Sequence, residues 1–172
     1  MSSVFYEGNL QFTFTECDAA ERFDTKDCNV YGMKSVDFIA ETTDYLYFIE
    51  VKDYQHPNAS PKRQKEDYRM LVEATNGGKT VFALEMGEKI KDSLLRRYAA
   101  NGTFSKKVIY LLLINLDKLG EFERGFLKAK INGHVPTGLN DTRFSAFTEI
   151  SFELVNAEQL EDYGIVCEVK NV

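Results

Sequence analysis

The stretch YLYFIEVKDY, residues 45–54, opens with five apolar or aromatic positions and then carries Glu50 and Lys52 two residues apart. It is rich in β-formers, and residues 45–53 read as a strand buried on both faces. Side chains two apart in a strand share a face. Glu50 and Lys52 therefore project together from a strand whose other positions ask for core. That face is neither plain core nor plain solvent.

Upstream, KSVDFIAE (34–41) alternates Val36, Phe38 and Ala40 with Ser35, Asp37, Ile39 and Glu41, and ETTD supplies a turn. The two segments make a hairpin. With a two-residue turn at 43–44, Thr42 faces Tyr45 and Asp37 faces Glu50; facing Cβ atoms then stand about 5 Å apart. A four-residue turn sets Asp37 opposite Lys52 instead. Either register gathers Asp37, Glu50 and Lys52 on one face.

Two carboxylates that close repel unless a cation lies between them or one takes a proton. Such a pair suits magnesium, which takes one or two carboxylates and keeps several waters. The Val51 carbonyl offers a further oxygen. A neighbouring lysine orients or helps deprotonate a metal-bound water, or offsets charge on a phosphate in the transition state. The chemistry this pattern points to is metal-assisted phosphodiester hydrolysis.

Asp37 followed by Glu50-Val51-Lys52 in consecutive strands resembles the PD-(D/E)xK nuclease superfamily, the restriction-endonuclease-like fold. The resemblance covers residues 34–75, with looser support from the strand at 106–116. It implies an α/β fold with a restriction-endonuclease-like core, a mixed central β-sheet flanked by helices. It also implies that Asp37 and Glu50 bind a divalent metal, magnesium or manganese, while Lys52 assists catalysis. The partner implied is nucleic acid, DNA before RNA, and domains of this family often form homodimers. The family's usual proline before the aspartate is replaced by Val36. Its N-terminal acid has two candidates here, Glu16 and Glu21.

Two other acid-x-Lys triplets lack this context. Glu168-Val169-Lys170 sits in a tail strand with no room upstream for a facing strand and turn. Asp24-Thr25-Lys26 lacks the apolar flanks of a central strand.

The rest of the chain reads as one α/β domain over residues 1–172. Leu10, Phe12 and Phe14 alternate with polar residues as in a strand. Ser60 and Pro61 are N-cap and first residue of a helix with Tyr68, Leu71 and Ala74 on its apolar side, ending near Gly77 and Gly78. A second helix over 81–100 has Phe82, Met86, Ile90, Leu94 and Tyr98 in a stripe. KKVIYLLLINL (106–116) is a buried central strand, and residues 117–131 are read as helix. FTEISFELV (147–155) is a strand, Asn156 and Gln159 form a capping box, and GIVCEVK is a short closing strand.

Lys62, Arg63, Gln64 and Lys65 stand in the first helix's opening turn, where cations oppose the helix dipole and a phosphate offsets the conflict. They are candidate phosphate contacts. Lys89, Lys91, Arg96 and Arg97 on the second helix read first as a solvated face, with contact to a nucleic-acid backbone as the alternative. His56 and His134 lack partners for a metal site or triad.

The 172-residue length suffices for one real core. The net charge of −6 excludes coating nucleic acid by bulk positive charge, though not a local basic groove. Three unpaired-looking cysteines suggest neither a disulfide framework nor a zinc site. The first residues lack a signal-peptide pattern and the longest apolar run is too short to span a bilayer, so a cytoplasmic setting without membrane contact is expected. A metal-dependent nuclease is the leading expectation. Its competitor is a non-catalytic nucleic-acid- or protein-binding module on a degenerate nuclease fold.

Overall fold

A computed structural model describes residues 2–26, 30–55, 59–72, 75–76 and 79–170, with side chains outside 72–80. In chain order its strands are β1 (Ser3–Glu7), β2 (Leu10–Phe14), β3 (Ala19–Arg22), β4 (Phe38–Glu41), β5 (Tyr45–Asp53), β6 (Thr75–Asn76), β7 (Lys79–Thr80), β8 (Lys107–Asn115), β9 (Ile150–Val155) and β10 (Ile165–Val169). Its helices are α1 (Pro61–Val72), α2 (Val81–Asn101) and α3 (Glu121–Asn132). The fold is mixed α/β. A five-stranded sheet runs in the order β3-β4-β5-β8-β9, with β5, β8 and β9 parallel and the β3-β4-β5 part antiparallel.

β5 lies at the centre because it has apolar residues for both sides. Leu46 and Phe48 join Val108, Tyr110, Leu112 and Ile114 of β8 in a cluster with the helices. Tyr47, Ile49 and Val51 face the other way, with Leu111 and Leu113. That second face is covered by a three-stranded antiparallel sheet, β1-β2-β10, assembled from both ends of the chain. Phe12 and Phe14 point from β2 onto Phe38, with ring centroids 5.3 and 6.1 Å away. Aromatic pairs of this kind add about 0.5–1.5 kcal/mol each beyond area burial.

The hairpin adopts the two-residue turn. The Thr42 N–H donates to the Tyr45 carbonyl at 2.9 Å, and Phe38 pairs with Ile49. β4 is shorter than its alternation predicts, because residues 34–36 dock on α2. The Lys34 N–H donates to Asp92 and the Val36 N–H to the buried Ser93 hydroxyl. The strand pattern in 34–37 yields to those side-chain acceptors.

α1 begins as the sequence predicts: the Ser60 hydroxyl accepts from the Arg63 N–H at 3.2 Å, with Pro61 as first residue. Ser60→Ala should cost about 1 kcal/mol of stability, read by urea denaturation; no change would mean the cap is not formed. α1 is described to Val72, so Ala74, Gly77 and Gly78 lie outside the described residues, as does His56. α2 matches its predicted span. Its Gly87 sits so close to the turn after α3 that an added Cβ would fall 2.5 Å from the His134 Cβ. The Asn156–Gln159 capping box forms reciprocally, at 3.0 and 2.8 Å. No helix among the described residues is long and apolar enough to cross a membrane.

Candidate active site

The inward-facing even positions of β5 are apolar through Phe48 and turn charged at Glu50, near the carboxyl ends of the parallel strands. Extending the ladder one step beyond Phe38 and Ile49 sets Asp37 opposite Glu50. Asp37 stands just outside β4, and its Oδ2 accepts a 2.7 Å hydrogen bond from the Val51 N–H. A strand residue directs its N–H and C=O to the same edge, so the Val51 carbonyl shares that edge with Asp37. Both carboxylates are buried: Asp37 is 7% exposed and Glu50 0%.

Lys52 Nζ lies 2.8 Å from Glu50 Oε1. A second lysine, Lys89 of α2, reaches the same oxygen at 2.6 Å. The expected triad is thus a quartet of two carboxylates and two ammonium groups. Glu50 Oε1 takes both lysines, while Oε2 is buried without a hydrogen-bond partner.

The electrostatics follow from burial. Desolvation, then the Glu50 charge, push the Asp37 carboxyl up to about 7, against the pull of Lys89 and the Val51 N–H. Burial works against the Lys89 ammonium, but Glu50, by charge and hydrogen bond, and then Asp37 and Asp24 outweigh it and raise its pKa. Tyr54, next after β5, is raised by burial first, then by Asp67, Glu85 and Glu50. Lys89 and Glu85 also border an open cavity of ≈ 540 Å³ with Lys34, Ser35 and the fully exposed Tyr31.

Lys89 corrects the reading of α2 as a solvated cationic face. Arg96 is turned inward too: its guanidinium lies over the Phe23 ring at 3.4 Å and donates to the Ser35 hydroxyl at 2.7 Å. Arg97 pairs with Glu41 and Glu21. Lys91 remains exposed. A signal was present in the sequence, since Lys89, Ser93 and Arg96 repeat at helical spacing beside the apolar stripe.

The candidate phosphate contacts divide. Lys62, Arg63 and Lys65 are exposed, and the Arg63 side chain is only 4.0 Å from Asp67 in its own helix. Gln64 lies on the inner side of α1 with Asp67, Tyr68 and Leu71. None of the four touches Asp37, Glu50 or Lys52 among the described contacts. Glu21 pairs with Arg97, and the Glu16 Cβ lies against Gly164, so neither reaches the quartet. The exposed Glu168 faces Gln11 across the small sheet, without an opposing acid.

Among the described residues, no group of three or more His, Cys, Asp or Glu is placed to hold a metal ion. No family model, no curated protein and no solved structure matches the chain.

Proposed function

We propose that the chain is a metal-dependent nuclease with a restriction-endonuclease-like core, hydrolysing phosphodiester bonds, in DNA before RNA. Asp37 and Glu50 would hold magnesium or manganese with the Val51 carbonyl, and Lys52 would assist the attacking water. Two carboxylates and a carbonyl suffice for an ion that keeps its remaining waters. The metal would supply a nucleophile at neutral pH and charge stabilisation on the phosphate.

The observation that carries this reading is the buried, partnerless Oε2 of Glu50, the residue that the extended ladder sets opposite Asp37. A fully buried carboxylate oxygen without a partner is costly. Burial first, and the Glu50 charge second, also raise the proton affinity of Asp37. A cation between the two carboxylates relieves both effects.

Lys89 favours a second reading, the non-catalytic binding module. With Lys89 the charges balance, two against two, so the surplus negative charge of an Asp37–Glu50–Lys52 triad is removed. A neutral ion cluster can be purely structural. Its weakness is the crowding of both lysines on Oε1: a self-contained cluster would satisfy both oxygens.

The test is a cleavage assay on single-stranded, double-stranded and branched DNA, and on RNA, with manganese, magnesium or chelator. Cutting should require the metal and fall about a hundredfold or more in Lys52→Ala. No cutting of any substrate would favour the binding module.

A further inference from the structure

Among the described residues, Arg124 of α3 is one of four places where a buried polar atom lacks a partner, with Glu50 Oε2, Asn9 Oδ1 and Asp53 Oδ2. Its Nε donates to the Leu119 carbonyl at 3.2 Å and its Nη2 to the Ile114 carbonyl at 3.4 Å. Its Nη1 is buried with no acceptor. Burial lowers its pKa, and no neighbouring acid counters the shift. An arginine in this position keeps its charge nonetheless. The guanidinium is only partly buried, but its buried Nη1 is left without an acceptor, and a bound anion would supply one.

The place of this group in the fold gives the anion its context. Arg124 borders a cavity of ≈ 350 Å³ at the carboxyl ends of β8 and β9, together with Ile114, Asn115, Asp117 and Glu158. Ile114 is in register with Lys52, and Asn115 with Asp53. Adjacent strands lie about 4.8 Å apart, so the cavity begins one strand away from the Lys52 position. Asp117 and Glu158 border the cavity without pairing with Arg124 among the described residues. Carboxylates there disfavour a dianion such as free phosphate. A phosphodiester, with one negative charge, meets less repulsion.

We propose that this cavity is a phosphodiester subsite, in which Arg124 receives a backbone phosphate adjacent to the one held beside Glu50 and Lys52. The nucleic-acid strand would cross the carboxyl ends of β5 and β8. This rests on the nuclease reading for the position of the reacting bond.

The test is binding of a short labelled single-stranded oligodeoxynucleotide to the full chain in chelator, followed by anisotropy across a salt series. Arg124→Gln should weaken binding about tenfold at low salt and reduce the slope of log affinity against log salt by about one. Arg124→Lys should keep most of the slope, and thermal melts establish that both variants fold. A fold defect alone would not change the salt slope. Unchanged affinity and slope in Arg124→Gln, or no binding by the wild-type chain, would overturn the subsite. Metal-dependent cutting with an unchanged slope would remove the subsite and leave the nuclease. A reduced slope without cutting on any substrate would leave the anion subsite and remove the nuclease.

Discussion

Methionine in place of Lys89 should lower the free energy of unfolding by about 3 kcal/mol at neutral pH, within the range for breaking a buried ion pair. Glu50 is fully buried and holds Lys89 at 2.6 Å. Methionine keeps the aliphatic length of the lysine and removes the charge, so packing is nearly preserved. Glu50 then has only Lys52, whose side chain is 25% exposed and whose attraction water screens. The energetic source is the uncompensated buried carboxylate, not the lost contact itself. Adding Glu50→Gln to Lys89→Met should therefore recover most of the loss, giving a coupling of one to three kcal/mol in a double-mutant cycle, roughly the range for residues in contact. Urea denaturation of the four proteins measures it. A loss below about 0.5 kcal/mol would be that of an ordinary surface substitution and would place Glu50 in contact with water.

Asp37→Asn should stabilise the chain, and only above acid pH. The Asp37 carboxyl has its pKa raised from 3.8 to about 7 by burial and by Glu50. Between those values the native state binds more protons than the unfolded state, so wild-type stability falls as pH rises. Below the lower value both states are protonated and the penalty vanishes. Above the upper value it is complete, worth about 2–4 kcal/mol for a coupled buried group at 1.36 kcal/mol per unit. The Asn side-chain oxygen can still accept from the Val51 N–H. Asparagine should thus match wild type near pH 4 and exceed it by that amount at pH 8, measured by urea denaturation at each pH. Equal stabilities at pH 8 would mean that Asp37 is ionised without cost. On the proposed metal-site reading, the gain would come with lost metal binding, an exchange of stability for function.

The quartet's first three members were legible because a hairpin is a local object. Period-two alternation sets the face, and a two-residue turn sets the register that brings Asp37 opposite Glu50. Lys89 was not, because it comes from a helix that crosses the sheet face from far along the chain. Its place beside the apolar stripe gives its direction only once α2 is docked. The same distinction runs through the fold. β2 and β10 were each readable as strands, but their pairing joins the two ends of the chain and leaves no local mark. β4 was overextended because Ser93, one helix away, takes the Val36 N–H that a strand neighbour would otherwise accept.

The central claim is that the quartet is a metal site and not a self-contained ion cluster, and a manganese titration of the full chain addresses it most directly. The account predicts one ion per chain, lost in Glu50→Gln and Asp37→Asn. Affinity should rise as pH passes through about 7, where Asp37 gives up the proton that competes with the metal. Lys89→Met should bind more tightly, since a competing cation is gone. No saturable binding at any pH up to 8, in wild type or in Lys89→Met, would contradict the account and leave Asp37, Glu50, Lys52 and Lys89 as a structural cluster.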